Sequence, residues 1–146
     1  MVKKHLIPII AFALLLIAQT SEIMAQKENT SKAQEDKLVV VWTSDDPYVA
    51  ERVALMYTHA ASKNKWFNDV TLIIWGPSAK LTAENTKIQE KLKAMQEDGV
   101  TIKACIACAN AYGVTEDLKS LNFEIAGMGK PLTNYLKDDS AKVITF

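Results

Sequence analysis

Hydrophobic positions in this chain fall into short unbroken runs, separated by stretches where they recur every three or four residues. Leu38-Val39-Val40-Val41-Trp42 is one such run, and Val70-Thr71-Leu72-Ile73-Ile74-Trp75 is a second. Short continuous runs rich in β-branched residues predict strands buried on both faces. Between them, Ser44-Asp45-Asp46-Pro47 offers a capping side chain followed by a first-turn proline. Val49, Val53, Met56 and Ala60 then recur at helical spacing, predicting the buried face of a helix that Lys63-Asn64-Lys65 closes.

Gly76-Pro77-Ser78 breaks the second strand, and Leu81, Ile88, Leu92 and Met95 form the next apolar stripe. Glu84, Lys87, Glu90, Lys91 and Lys93 lie between them and read as a solvated helix face with paired charges. Asp98-Gly99 ends that helix, glycine being free to take the left-handed cap. Val100–Ala104 is a third strand with polar alternation, running directly into Cys105-Ile106-Ala107-Cys108 and a short helix that stops at Gly113. A short helix from Thr115, a strand over Phe123–Ala126, a turn at Gly127–Lys130 leading into a helix with Pro131 at its first position, and a strand over Lys142–Phe146 complete the pattern. Strand and helix alternate to the end. The expected fold is therefore α/β, with a mainly parallel sheet and helices on both faces.

Ahead of this pattern lies a different kind of segment. Met1-Val2-Lys3-Lys4-His5 precedes an uncharged apolar stretch from Leu6 to Ala18, and Ile23-Met24-Ala25 follows a polar step. A positive start, a short apolar middle and a small-residue cut site predict a signal peptide over residues 1–25, cut after Ala25. The alternative, an uncleaved anchor, wants about 20 apolar residues, and this run is shorter. Residues 26–36 are polar and read as a flexible leader, leaving 37–146 as one domain. A periplasmic or secreted location permits disulfides, and no membrane segment is expected after cleavage.

Composition narrows the function classes. The 146 residues are 49% apolar and 23% charged, which excludes a disordered chain. Seventeen basic and seventeen acidic groups cancel, which argues against nucleic acid as a partner. Loss of Lys3, Lys4 and Glu22 with the leader brings the balance only to −1. Two cysteines are too few for a cysteine-only zinc site. The sequence holds no dinucleotide fingerprint, phosphate loop or nucleophile elbow.

Chemistry concentrates at Cys105 and Cys108. Loops at the carboxyl ends of parallel strands form the ligand edge of such sheets, and the pair sits in one of four such loops. If the turn after Cys105 is helical, the two residues fall within disulfide reach. Helix-start N–H groups stabilise a thiolate, and Lys103, on the same strand face, is a candidate to do so as well. A thiolate attacks sulfane sulfur or a disulfide, and the second cysteine resolves the adduct. Asp45, Trp75, Gly127, Met128 and Gly129, on neighbouring loops, are candidate binding residues. Asp45 and Asp46 read more simply as helix caps, Trp75 and Met128 as core, and His59 as a helix-boundary residue. Three functions stay open: sulfur handling, dithiol–disulfide exchange, and a non-catalytic ligand or partner module with a structural disulfide.

The residues from Leu38 to Phe146 resemble the DsrE/DsrF-like family, small proteins of sulfur metabolism. The resemblance rests on Leu38–Trp42 with the turn Thr43–Pro47, on Gly99–Cys105 running on to Tyr112-Gly113, on Gly127–Thr133, and on Val143–Phe146. It implies a three-layer α/β/α fold with a five-stranded sheet, and assembly as a homo-oligomer, a trimer or hexamer. It further implies a persulfide carried on Cys105 and passed between donor and acceptor proteins without a cofactor. Cys108 resembles a second cysteine present in some members. The export signal departs from the cytoplasmic relay members, so partner and process do not carry over.

Overall fold

The computed structural model describes residues 36–146; the expected signal peptide and nearly all of the leader lie outside them. Five strands form one sheet: β1 (Lys37–Trp42), β2 (Asp69–Ile74), β3 (Thr101–Cys105), β4 (Glu124–Ala126) and β5 (Ala141–Thr145). Their spatial order is β4-β3-β2-β1-β5, and every neighbouring pair is parallel. Six helical segments connect them. They are α1 (residues 47–63), α2 (Ser78–Glu84), α3 (Thr86–Glu97), α4 (Ile106–Tyr112), α5 (Thr115–Ser120) and α6 (Gly129–Leu136). This is the expected three-layer α/β/α fold.

The two faces of the sheet are unequal, and topology explains why. Strands β1 to β4 are laid down in one direction, so right-handed crossovers put α1 to α5 on one face. The chain then reverses from β4 to β5, which sends α6 to the other face. The core divides accordingly. Val40, Trp42, Leu72, Ile74, Ile102 and Ala104 pack on the first face against residues of α1 to α5. On the second face Val39, Val41, Ile73, Cys105 and Met128 are buried, with Leu132 and Tyr135 of α6 packed over them. Among the described residues, the helical side chains packed against that second cluster are Leu132 and Tyr135 of α6 and Cys108 of α4.

Three expectations need correction. The buried face of α1 is Ala50, Ala54, Leu55, Thr58 and Ala61, not Val49, Val53, Met56 and Ala60; Met56 is 56% exposed. The cause is a π-helical turn over Ala50–Ala54, whose wider winding shifts the register of everything after it. The stripe from Leu81 to Met95 spans two helices, because Asn85 is extended (φ −121°, ψ 101°) and caps α3 by accepting the Ile88 N–H at 3.1 Å. Finally α6 opens at Gly129, so Pro131 is the third helical residue and not the first.

Other sequence signals act as expected. The Asp46 carboxylate accepts the N–H groups of Tyr48 and Val49 at 2.7 and 3.3 Å, capping α1 ahead of Pro47. Gly113 takes φ +70° and closes α4. The charged face of α3 is solvated and paired; Lys87, for example, bonds Glu51 of α1.

Candidate functional site

Cys105 is the last residue of β3 and the residue before α4. Its strand neighbour β4 pairs with it through Cys105↔Ala126. The chain leaves β3 toward the first face and leaves β4 toward the second. The connections therefore diverge at the carboxyl ends of β3 and β4, which opens a crevice where α/β sheets bind ligands. Cys105 stands at that divergence, with Met128 on the departing β4–α6 connection.

Both cysteines are free thiols. Cys105 is only 4% exposed, packed with Val39, Val41, Ile73 and Met128. Cys108 is half-buried and packs against both core clusters, placing it at the rim between them. The strand end thus carries Cys105 into the second-face core beside Met128, and Cys108 is the more exposed member of the pair. Three residues apart in sequence, the two thiols meet in the second-face cluster, where Cys105 is a buried member and Cys108 packs against it. The N–H of Gly76, at the end of β2, donates to Cys108 Sγ at 3.1 Å.

The two thiols have opposite tendencies. Burial pushes Cys105 up, but the backbone N–H of Cys108, the Cys108 thiol, and the N–H groups of Met128 and Ala107 outweigh it, and its pKa lies below the ordinary thiol value. Cys108 is pushed up by burial and by the neighbouring Cys105 sulfur, against the opposing Gly76 N–H. One proton is thus shed readily and the second is held. The pair titrates as a unit.

The remaining candidates separate into those the fold brings to the pair and those it does not. Trp75 is half-buried and packs in the same cluster as Cys105. Met128 is fully buried there and turns its backbone N–H toward the sulfur. Gly127 and Gly129 are exposed on either side of it, with open space where a side chain would stand. Lys103 shares the strand face of Cys105, but its ammonium bonds Glu124 at 2.8 Å across the β3–β4 pair. Glu124 raises the lysine pKa, and the groups favouring the Cys105 thiolate are the Cys108 thiol and backbone N–H groups instead. Asp45 is exposed after β1, two strands away from β3.

Two contributors escaped the sequence reading. Gly76 (φ +71°) supplies the N–H for Cys108, and Ser78 fixes the loop that carries it. The buried Ser78 hydroxyl donates to the Trp42 carbonyl at 2.6 Å and accepts the Trp75 N–H at 3.1 Å. Gly76-Pro77-Ser78 was legible as a strand breaker. Its contact with a helix 32 residues away was not. His59 lies elsewhere, bonded to Asp98 at 2.6 Å and to Lys91. A 550 Å³ groove lined by α3 and residues 120–123 also lies apart from the cysteines, toward the amino end of β4.

Residues 36–146 match the model of the DsrE/DsrF-like family. The chain belongs to the DsrE/DsrF-like family. It is also similar to a solved structure of a conserved protein of unknown function from Bacteroides thetaiotaomicron. The two share 33% identity and a TM-score of 0.72, over 76% of this chain and 95% of that one. No match is found among curated proteins. Membership gives this DsrE-like chain a fold of the sulfur-relay type. Among its described residues, no helix is long and apolar enough to cross a membrane.

Proposed function

We propose that this DsrE-like protein is exported and handles sulfane sulfur at Cys105, with Cys108 as the resolving thiol. The observation that carries the reading is the juxtaposition of two free thiols at the β3–β4 divergence, with backbone N–H groups turned on both. The Cys105 thiolate attacks the outer sulfur of a donor persulfide. A new S–S bond forms on Cys105, the donor S–S bond breaks, and the donor leaves as its thiolate. An acceptor thiolate then takes that outer sulfur and restores Cys105. Without an acceptor, the Cys108 thiolate attacks the inner sulfur, forming the Cys105–Cys108 disulfide and expelling hydrosulfide. Donor and acceptor are a partner protein or a small thiol, reaching the pair from the Cys108 side. Assembly as a trimer or hexamer and cleavage after Ala25 belong to the same proposal.

The test is to load the reduced protein with a sulfane donor and read intact mass. One sulfur added to the parent chain and lost in Cys105→Ser supports the reading. Equal loading of Cys105→Ser overturns it. Dithiol–disulfide exchange is a second reading, favoured by the unlike tendencies of the two thiols. Insulin reduction together with a measured reduction potential separates it; a very low potential marks an inert bridge.

A further inference from the structure

The sulfur atoms at the β3–β4 divergence have a second capacity that sulfur transfer leaves unused. Cys105 and Cys108 are both free, Cys108 packs against the cluster that holds Cys105, and the Met128 side chain is fully buried in that same cluster. Oxygen and nitrogen donors are committed elsewhere: Glu124 is tied to Lys103, and the one histidine among the described residues, His59, lies apart and is tied to Asp98 and Lys91. Among the described residues no group of three or more His, Cys, Asp or Glu side chains could hold a metal ion. A zinc ion, which needs three or four such ligands, is thereby disfavoured. Two thiolates with an apolar, thioether-bearing cover are the donor set that selects a soft monovalent ion.

We propose that Cys105 and Cys108 together bind one Cu(I) ion as a two-coordinate bis-thiolate, covered by the side chain of Met128. Two S–H bonds break, two Cu–S bonds form and two protons pass to solvent. No electron changes hands, because copper arrives as Cu(I). The complex carries a net charge of −1, and the Gly76 N–H, 3.1 Å from Cys108 Sγ, is placed to stabilise it. The site spans the end of β3 and the first turn of α4, so both ligands come from one chain.

The experiment is an anaerobic titration of the reduced chain against Cu(I) held by bathocuproine disulfonate, read by loss of the chelate colour. One copper per chain is expected. Either single serine variant, Cys105→Ser or Cys108→Ser, should bind more weakly by more than the ~100-fold that loss of an outer-shell partner costs. X-ray absorption on the copper-loaded parent chain should show two sulfur neighbours, a readout independent of whether the variants fold. Excess Zn(II) should fail to displace the ion. Retention of all copper by the chelator, equal uptake by the serine variants, nitrogen or oxygen neighbours, or one copper bridging two chains would each overturn the proposal. Copper uptake requires no persulfide, so its failure and the failure of sulfur loading are read separately.

Discussion

Leu72 and Ile73 are adjacent in β2, both fully buried, and differ chiefly in which face of the sheet they enter. Truncating each to alanine removes the same number of carbon atoms, so the transfer loss is nearly equal. The remaining cost depends on whether the surroundings collapse into the void. Leu72 lies beneath a layer built from α1 to α5, whose members also brace one another through bonds such as Ser62 Oγ to the Asp98 carbonyl at 2.8 Å. Ile73 lies beneath α6, a single eight-residue helix with no braced neighbour on that face among the described residues. Helix α6 can settle where the first layer cannot. Within the range of roughly 2–5 kcal/mol for such truncations, Leu72→Ala should cost about 4 and Ile73→Ala about 2.5. Urea unfolding followed by circular dichroism measures both. With a slope of about 1.5 kcal/mol/M, the two midpoints should differ by about 1 M. The settling of α6 should also shift the Met128 N–H relative to Cys105, so Ile73→Ala alone should alter the thiolate absorbance at 240 nm. An Ile73→Ala midpoint at or below that of Leu72→Ala, at unchanged slope, would refute the argument that the second face is the more compliant.

Ser78→Ala removes a buried hydroxyl that joins the ends of β1 and β2; it should cost about 1–2 kcal/mol in urea unfolding, since Trp75 N–H still reaches the Trp42 carbonyl at 3.0 Å. Gly76→Ala meets nothing closer than the Thr43 carbonyl at 4.0 Å, so its cost is conformational strain at φ +71°, about 1–2 kcal/mol by the same assay. The thiolate absorbance of the reduced chain should rise in two separated steps, one below and one above the ordinary thiol range; a single step within that range would contradict the site geometry. Stability follows with a definite sign. The Cys105 contribution is complete above its unfolded pKa and is lost as pH falls through the lower folded value. Cys108 opposes folding once pH passes its unfolded pKa, where the unfolded chain sheds that proton first. Differential unfolding of Cys105→Ser and Cys108→Ser across pH checks both signs.

The sequence by itself determined the strands, most of the helix ends, the parallel sheet and the family. Each of these is a local property: continuous β-branched runs, the Asp46 cap, and glycine at the left-handed positions Gly99 and Gly113. Where local periodicity failed, it failed for a physical reason. A π-helical turn leaves no mark in hydrophobic spacing, so the buried face of α1 was misplaced by a rotation of register. The cysteine pair was equally legible, as a spacing after a strand.

What the tertiary structure alone decided was the environment of each sulfur. Three facts depend on groups 20 or more residues away in sequence: that β4 pairs beside β3 while its helix crosses to the opposite face, that Met128 therefore closes over Cys105, and that Gly76 reaches Cys108. Lys103 shows the same limit from the other side. Strand alternation put it on the correct face, but register with Glu124 decided which charge it would meet. Side-chain spacing sets which groups are available, and only strand order and crossover direction set which of them converge.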